Sequence, residues 1–397
     1  MIEILGVRLH NYSYRKVMNE IKSWLEGKEN RFLVTPNPEI VLEAQHNEEL
    51  FYLLRRADLS MADGFGLKLA GLLVGKKVVR ITGADLSLKL LRLANKNKYK
   101  VLIVHWKKGL STKLDIETAI NSKFSDLELM TVGVDRDNFD VDYEEINKFA
   151  PQIMLVGLGA PWQEKFVYHK RWKIKSLRVS AGIGGAVDFI TKKLKRAPKV
   201  FRLLGLEWFW RLIQQGHRWR RIYRAVVIFS AWVINWKFIQ PFIYRKNVAC
   251  ILYKKEQKRY KLVIIERKGD PGHWQMPQGG TDGEPLGIAA RRELTEELNL
   301  KFSDVKLEKV YKKVYRYDWH DWGKTIFHRV VKRAGYRGQS QGLAIFKFIG
   351  DDKDIKMNYW EHSQWKWVDS DKLVDSVHDL RKEGMTKFLQ KFENYLQ

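Results

Sequence analysis

The chain has 397 residues, 45% of them hydrophobic, and a formal net charge of +26 at pH 7. This length is too great for one ordinary hydrophobic core and predicts at least two domains. The positive charge implies anionic partners: phosphates, nucleotides, nucleic acid or an acidic membrane surface. The single cysteine, Cys250, excludes an internal disulfide framework and fits a reducing compartment. The first residues do not begin a signal peptide, because no basic segment is followed by an apolar run.

The first half of the chain alternates strand-like apolar runs with helix-like segments. Residues 31–34, 99–105 and 153–157 are predicted to be strands, and residues 39–56 have the pattern of a helix. This alternation predicts an α/β fold with a mainly parallel, Rossmann-like sheet. Such sheets bind ligands at the carboxyl ends of their strands.

Polar residues follow these apolar runs where a parallel sheet would present them to a ligand. Thr35 and Asn37 follow the first strand, Asp63 lies in an Ala-Asp-Gly segment, and Gln163 and Glu164 follow a Gly-Leu-Gly segment. An Asp before a Gly is also common in turns. Position and composition alone therefore leave open whether Asp63 is functional or structural.

Seven segments of the first 208 residues occur in the order found in one protein family. They are 35–39 (TPNPE), 62–66 (ADGFG), 80–85 (RITGAD), 157–164 (GLGAPWQE), 182–189 (GIGGAVDF), 195–198 (KRAP) and 205–208 (GLEW). Together they resemble the WecG/TagA/CpsF glycosyltransferases over about residues 1–224. The resemblance implies transfer of a sugar, typically N-acetylmannosamine from its UDP form, to a polyprenyl-diphosphate-linked acceptor. It also implies that this domain needs no metal.

The resemblance assigns roles to residues of the matching segments. Asp63 corresponds to the proposed general base, and the substrate-binding positions are Thr35, Asn37, Arg80, Gln163 and Glu164. An inverting transfer needs a carboxylate within reach of the acceptor hydroxyl, and positive charge or amide donors for the departing diphosphate. Asp135-Arg136-Asp137 resembles a metal-binding motif of other glycosyltransferases. We interpret it instead as an acidic loop, since further acidic residues follow it.

The most basic region lies between the two halves of the chain. Residues 192–224 contain eleven Lys or Arg and one acid, with tryptophans interleaved, and an apolar run follows at 225–234. That run is too short to span a bilayer. Basic residues beside Trp and an apolar helix suit the cytoplasmic face of an anionic membrane, although the same combination is typical of RNA binding. A helix packed into the core is the third interpretation.

In the resembled family this appendage docks on the membrane, and its arginines help to complete the site over the lipid diphosphate. The resemblance therefore assigns substrate binding to Arg218, Arg221 and Arg224. We expect a cytoplasmic protein that associates peripherally with the inner face of the cell membrane.

Residues 279–300 combine a glycine-rich loop with an acidic, helix-like run. Glu293, Glu296 and Glu297 are spaced i, i+3 and i+4, so they would share one helix face. Three carboxylates held together repel one another unless a cation neutralises them. Mg²⁺ or Mn²⁺ does so with oxygen ligands while it keeps phosphate oxygens in its shell. Arg292 is placed to brace Glu296, and Gly279 leaves room for a metal or a phosphate.

This segment resembles the Nudix box, with Glu284 at the early acidic position and Asn299 where glycine is usual. Asn tolerates the left-handed conformation that a helix C-terminus favours. The flanking segments 274–280 (WQMPQGG), 338–341 (GQSQ) and 361–368 (EHSQWKWV) resemble RNA 5′-pyrophosphohydrolases and diadenosine tetraphosphate hydrolases. The resemblance spans about residues 246–397 and implies an α/β/α Nudix sandwich.

The Nudix resemblance also implies a site. Its metal ligands would be Glu293, Glu296, Glu297, Glu361 and Gly279, and its substrate contacts would be Arg267, Gln278, Gln339 and Gln341. The three glutamates of the box are the catalytic candidates, with Glu293 either ligand or base. The substrate would be a nucleoside polyphosphate, either a dinucleoside tetraphosphate or a triphosphorylated RNA 5′ end. The fusion suggests a rival, a nucleotide sugar or nucleoside diphosphate of the transferase reaction, but the motifs favour the polyphosphate.

We therefore expect a bifunctional enzyme with a glycosyltransferase core at 1–191, a membrane-docking appendage at 192–245 and a Nudix domain at 246–397. Two other hypotheses remain. The N-terminal half could be a catalytically inactive lipid-binding module, although the retention of Asp63, Thr35 and Asn37 argues against this. The chain could instead process RNA, with the basic region binding transcripts. Homo-oligomer formation is left open.

Overall fold

The computed structural model describes residues 1–198, 200–201, 206–214, 216, 219–319, 335–358 and 360–397. They form two compact units, Met1–Lys237 and Phe238–Gln397. The boundary along the chain, after Lys237, falls within the predicted appendage at 192–245. The division at 191 and 245 into three domains stays a prediction.

The first unit is built on a six-stranded sheet whose described pairings are all parallel, in the order β4-β3-β8-β7-β5-β6. Its strands are β3 (Arg31–Val34), β4 (Leu59–Ser60), β5 (Val101–Trp106), β6 (Leu129–Val134), β7 (Ile153–Gly157) and β8 (Val179–Gly182); the hairpin β1 (Ile2–Ile4) and β2 (Val7–Leu9) precedes them. The predicted α/β fold with a mainly parallel sheet is confirmed. This unit contains two buried clusters of apolar side chains. Alternate residues of β5 belong to different clusters: Leu102 and Val104 lie in the first, and Val101 and Ile103 lie in the second.

Helices alternate with these strands. They are α1 (Tyr14–Glu26), α2 (Pro38–Ala44), α3 (Glu48–Arg56), α4 (Phe65–Leu73), α5 (Gly83–Asn97), α6 (Lys113–Asn121), α7 (Tyr143–Phe149), α8 (Trp162–Lys170) and α9 (Ala186–Ile190). The single helix predicted at 39–56 is wrong. The chain breaks after Ala44 because the Asn47 side chain accepts a hydrogen bond from the Leu50 amide and starts a new helix.

Beyond α9 lie a short helix, Glu207–Gln214, and a longer helical segment, Trp219–Phe242, which we call the basic helix. The apolar run at 225–234 is continued on both sides within this 24-residue segment, which is long and apolar enough to cross a membrane by length and composition. The expectation that the apolar run is too short to span a bilayer holds for residues 225–234 but not for the whole 24-residue segment. Phe229 and Val233 are buried against the first unit, where the segment contacts α2 and α4.

The second unit is a mixed sheet between two helices. Its strands are β9 (Tyr244–Glu256), β10 (Arg259–Arg267), β11 (Trp274–Gln275), β12 (Gln278–Gly280), β13 (Val305–Asp318), β14 (Gly338–Phe348) and β15 (His362–Asp369). The order is β11-β10-β9-β14-β13, with β12 on β9 and β15 on β10; β9 and β14 are parallel. Alternate residues of β9 point to opposite faces, as a strand covered on both sides requires.

Each face of this sheet is covered by one main helix. Leu286–Leu298, which we call the acidic helix, packs Ala290 and Leu294 into the cluster that holds Cys250. The C-terminal helix, Asp379–Leu396, packs Phe388 and Phe392 into the cluster on the other face. The predicted α/β/α sandwich is confirmed.

Candidate active sites of the two units

Asp63 lies at the carboxyl edge of the first sheet, beside the N-terminus of α5. Its Oδ2 accepts a hydrogen bond of 3.1 Å from the Gly83 backbone amide, and its own amide donates to the Pro36 carbonyl at 2.8 Å. A Cβ at Gly83 would come within 3.0 Å of Thr35 Oγ1 and 3.8 Å of Asp63 Oδ2. The structure therefore brings Thr35 and Asp63 together around the backbone of Gly83, and a larger residue there would press on Thr35.

Gln163 and Glu164 lie in the interior behind Thr35. The Thr35 hydroxyl donates to the Gly182 carbonyl, while Gln163 Oε1 accepts from the Gly184 amide at 2.8 Å and its Nε2 donates to Glu164 Oε1 at 2.8 Å. Glu164 is only 1% exposed. Among the described residues its Oε2 has no hydrogen-bond partner. Burial raises the pKa of the Glu164 carboxyl to about 7. The substrate contact predicted for Glu164 stays a prediction.

Asn37 caps α2 at the same edge, its Oδ1 accepting from the Ile40 amide at 3.0 Å. Two residues on, the Glu39 carboxylate binds Arg221 of the basic helix through Nε and Nη2, both at 2.9 Å. This paired geometry holds the basic helix beside the predicted substrate-binding residues. Arg224 is exposed on the same helix. Arg218 lies outside the described residues.

Two further ion pairs tie the predicted family segments to one another. Arg80 pairs with Glu207 at the start of the short helix, and Arg196 donates to Asp85 at 2.6 Å. Arg80 is also paired by its backbone with Ala62, the neighbour of Asp63. The structure therefore shows Arg80 holding the short helix beside the sheet edge. Its predicted substrate contact stays a prediction.

Arg136 is a residue of this edge that the sequence analysis missed. Its guanidinium lies 3.8 Å from the ring centroid of Trp106 and 4.5 Å from that of Trp162, and its Nε donates to the Leu158 carbonyl at 2.7 Å. Burial, followed by the positive charge of Arg221, lowers the pKa of Arg136. Trp106 ends β5 and Trp162 begins α8, so no local sequence pattern indicates this arginine. The segment 135–137 is a loop after β6, as expected.

In the second unit, Arg292 organises the carboxylates of the acidic helix. Its Nη1 donates to Glu293 at 2.8 Å and to Glu296 at 2.9 Å, its Nε to Glu284 at 3.0 Å, and its Nη2 to the Gly280 carbonyl at 2.7 Å. The predicted brace is confirmed as a contact. One guanidinium thus joins the glycine loop to two of the three glutamates of the box.

The same cluster holds more negative charge than Arg292 can offset. Burial, helped by Glu296 and Glu361, raises the pKa of Glu293 to about 7 against the opposing effect of Arg292. Burial also raises the pKa of Glu361. A Cβ on Gly279 would fall 1.9 Å from the Glu293 carboxyl, so only glycine leaves this space open. These observations fit a divalent cation held by carboxylate oxygens.

Glu297 faces the lead-in segment that precedes the glycine loop. Its Oε2 accepts from the Gln278 amide at 3.1 Å. The Gln341 amide nitrogen donates to Gln278 Oε1 at 2.6 Å and to the buried Asn247 at 2.9 Å. Gln339 lies two residues earlier on β14 but accepts instead from the Tyr317 hydroxyl. The structure therefore joins Gln278, Gln341 and Glu297 in one polar network and places Gln339 outside these bonds.

Three residues around this network are relevant to its charge. Arg267 and Arg245 lower the pKa of Glu361 electrostatically, opposing its burial. Arg267 was predicted from the sequence, whereas Arg245 was not. His362 was also missed: burial, then Arg267, lowers its pKa to about 4, and its Nε2 lies 3.6 Å from Glu297 Oε1. His362 directly follows Glu361 in the sequence, and this adjacency could have identified it as a candidate site residue.

The left-handed conformation expected at Asn299 is present. Its φ is 55° and ψ is 27°, and its amide donates to the Thr295 carbonyl at the end of the acidic helix. The helix therefore ends where the resembled motif predicts, although glycine is absent.

Comparison with known proteins gives a separate result for each unit. Residues 2–241 match the model of the glycosyl transferase WecG/TagA/CpsF family, and residues 243–392 match that of the NUDIX domain. Two relatives of the first part carry the name N-acetylglucosaminyldiphosphoundecaprenol N-acetyl-beta-D-mannosaminyltransferase. The one from Bacillus spizizenii is 33% identical over 205 residues, covering 50% of this chain and 77% of that one. The one from Staphylococcus aureus is 29% identical over 239 residues, covering 56% and 87%.

The second part has similarity to solved structures. An Ap4A hydrolase from C. elegans, determined as a binary complex, is 20% identical, with a TM-score of 0.29, and the match covers 38% of this chain and 97% of that one.

Proposed function

We propose that this chain transfers N-acetylmannosamine from its UDP form to N-acetylglucosaminyl-diphosphoundecaprenol. The chain belongs to the WecG/TagA/CpsF glycosyltransferase family and also carries a NUDIX domain. The acceptor is the one in the names of the relatives from Bacillus and Staphylococcus. The observation that carries the proposal is the convergence of Thr35, Asp63 and the N-terminus of α5 at the carboxyl edge of a parallel sheet.

In this proposal Asp63 accepts the proton of the acceptor hydroxyl while the hydroxyl oxygen forms its bond to C1 of the sugar. The bond between C1 and the diphosphate oxygen breaks in the same step, and UDP leaves with the negative charge. Arg221 and Arg224 supply positive charge for that diphosphate. The amide of Gly83 holds the Asp63 carboxylate in place, so little reorganisation precedes proton transfer.

The test is a transfer assay with UDP-N-acetylmannosamine and the lipid-linked acceptor. Asp63→Asn should lower the turnover roughly 100- to 10,000-fold, the usual contribution of a general base, while donor binding largely survives. The amide oxygen of Asn can still accept from Gly83, so the local fold is retained. Asp126→Asn is the control, since Asp126 is an exposed carboxylate of the same unit. Turnover of Asp63→Asn at the wild-type rate would contradict the proposal.

For the second unit we propose hydrolysis of a nucleoside polyphosphate, a dinucleoside tetraphosphate or a triphosphorylated RNA 5′ end, with Mg²⁺ or Mn²⁺. Glu293, Glu296, Glu297 and Glu361 would hold the metal, with Gly279 leaving space beside it. A bound divalent ion offsets charge on the phosphates and activates water. Arg292 keeps Glu293 and Glu296 in position, and Arg267 and Arg245 add positive charge near Glu361.

The substrate class is tested by competition. Diadenosine tetraphosphate, 5′-triphosphorylated RNA and UDP-N-acetylhexosamine are offered together to the Asp63→Asn chain, in which the transferase cannot consume the nucleotide sugar. We expect the highest kcat/KM for one of the two polyphosphates. The Asp63→Asn, Glu297→Gln double variant gives the background. A preference for the nucleotide sugar would overturn the choice and point to a role in regulating the donor of the first unit.

We further propose that the first unit docks on the inner face of the cell membrane. The exposed side of the basic helix carries Trp219, Tyr223 and Val227 beside Arg220 and Arg224. On α4, which contacts this helix, Leu69, Leu72 and Leu73 are 46%, 58% and 42% exposed. Apolar side chains flanked by basic ones suit an anionic lipid surface. RNA binding is the competing function, and salt-dependent binding to RNA but not to anionic liposomes would favour it.

A further inference from the structure

His362 lies among the carboxylates of the Nudix unit, and the described residues offer its ring no hydrogen bond that would account for its burial. It is 4% exposed, and its Nε2 is 3.6 Å from Glu297 Oε1, beyond hydrogen-bond distance. Its Nδ1 has no hydrogen-bond partner among the residues that the structure describes. A buried imidazole whose Nε2 faces a carboxylate at a distance too long for a hydrogen bond calls for a further partner between them.

The surroundings of the ring are those of a cation site. One ligand atom each from Glu297, Glu361 and His362 lie within 4.8 Å of one another, close enough to bind one ion. Glu297 is 2% exposed. Asn358 fixes the backbone here, since its Oδ1 accepts from the Glu361 amide and its Nδ2 donates to the Glu296 carbonyl.

The strand geometry explains how two consecutive residues reach one site. Side chains of neighbouring strand residues normally point to opposite faces. Here the pairing of β10 with β15 shifts register between Glu266 and Arg267, opposite His362, where β15 begins. Glu361 lies just before the strand, and its carbonyl accepts a hydrogen bond of 2.7 Å from the Lys268 amide. The irregular start of β15 thus allows both side chains to face Glu297.

We propose that His362 supplies an imidazole nitrogen, through Nε2, to a divalent-cation site that it shares with Glu297 and Glu361. This inference rests on the proposed function, in which the Nudix unit holds a divalent metal at its glutamates. It adds a nitrogen ligand to an oxygen set. Mg²⁺ prefers oxygen ligands, whereas the transition ions of the series that begins with Mn²⁺ also accept imidazole beside carboxylates. The site therefore selects Mn²⁺ over Mg²⁺.

The test is pulsed EPR of the full chain loaded with one equivalent of Mn²⁺, without any nucleotide. Coupling of the electron spin to ¹⁴N should be present in the wild type and should change to that of ¹⁵N when the protein is labelled with ¹⁵N-histidine. His362→Gln should abolish the coupling, and His169→Gln, which changes a half-exposed histidine of the first unit, should keep it. Titration calorimetry should show His362→Gln weakening Mn²⁺ binding on the order of tenfold or more, and Mg²⁺ binding much less.

Saturating Mn²⁺ without histidine coupling in the wild type would overturn the proposal, and so would coupling that persists in His362→Gln. Absence of histidine coupling in the labelled wild type overturns the proposal even where His362→Gln does not fold. Failure of the hydrolase function is separate: histidine coupling without hydrolysis of any nucleotide supports the ligand and rejects the substrate. Hydrolysis of a nucleotide without histidine coupling supports the substrate and rejects His362 as a ligand.

Discussion

Glu297 lies at the centre of the Nudix unit, because it touches the lead-in segment through Gln278 and faces His362. We predict that Glu297→Gln lowers hydrolysis by more than the roughly 10- to 100-fold that loss of an outer-shell partner costs. The amide can still accept from the Gln278 backbone, so the change removes charge with little loss of structure. Metal-dependent hydrolysis is measured beside Glu393→Gln, an exposed glutamate of the C-terminal helix. Undiminished hydrolysis by Glu296→Gln and Glu297→Gln would remove the assignment.

We predict that Glu164 makes the free energy of unfolding depend on pH, because its carboxyl is buried and its pKa is raised to about 7. In the unfolded chain the pKa is the ordinary value of about 4.3. Between these values the native state holds a proton that the unfolded state has lost. The free energy of unfolding therefore falls as pH rises, by at most about 1.4 kcal/mol per pH unit, and levels off above pH 7.

The measurement compares the first unfolding transition of wild type and Glu164→Gln at pH 5 and pH 8. Gln keeps the shape and cannot ionise, so the variant should lose part of the pH dependence and gain relative stability at pH 8. An equal response of both proteins to pH would show that Glu164 does not titrate in this window.

At the residue scale, the motif residues were predictable and their partners were not. Thr35, Asp63 and the three glutamates of the box stand in recognisable segments. Arg136 depends on tryptophans 30 residues before and 26 residues after it, and Arg245 approaches Gly280 from another strand. Such contacts arise from tertiary packing, which a linear pattern does not record. Glu164 shows the converse, since a residue of a recognisable segment is buried in the interior.

Among the elements, the basic helix separates two roles of its arginines. Arg221 is paired with Glu39 beside Asn37, whereas the guanidinium of the exposed Arg220 lies 5.4 Å from the ring centroid of Trp219. We predict that Arg221→Gln lowers sugar transfer, on the order of 100-fold for the loss of one donor to the leaving diphosphate, with little loss of liposome binding. Arg220→Gln should chiefly weaken liposome binding. Equal effects of the two variants in both assays would contradict this separation.

We also predict that liposome binding depends on the total positive charge of the basic helix. Changing Arg218, Arg220, Arg221 and Arg224 to Gln should weaken sedimentation with anionic liposomes, each charge being worth about 1 kcal/mol near the surface. The control changes four exposed lysines near the opposite edge of the sheet, Lys28, Lys96, Lys98 and Lys175. Truncation before Lys192 is a less specific test, since it removes Phe229 and Val233 from the core. Unchanged sedimentation of the quadruple variant would reject the docking role.

At this scale the strand cores were predictable and the element ends less so. The bounds of β3 and β7 agree with the apolar runs, because buried strands of a parallel sheet are apolar throughout. The run at 99–105 gave a strand that begins at Val101 and ends at Trp106. The break near Asn47 was missed, since helix periodicity continues through it and a single capping residue decides the outcome.

For the whole molecule, the structure predicts that the two activities survive separation. Each of the four buried clusters draws its members from a single unit, so neither core needs residues of the other. The basic helix ends at Phe242 and β9 begins at Tyr244, where the two family matches also meet. A cut between 242 and 243 therefore leaves every described strand intact. Domains of about 150 to 240 residues with their own cores can fold alone.

We predict that residues 1–242 transfer the sugar to the lipid-linked acceptor with the kcat/KM of the full chain. Residues 243–397 should hydrolyse the polyphosphate that the full chain prefers, with unchanged metal dependence. Each fragment is assayed alone and after addition of the other, with the Asp63→Asn and Glu297→Gln fragments as inactive controls. Transfer that is lost in residues 1–242 and regained when the inactive Glu297→Gln fragment is added would show that the second unit supports the first by contact. Recovery only with the active fragment would show that hydrolysis of a nucleotide drives the transfer, and independence would be rejected in either case.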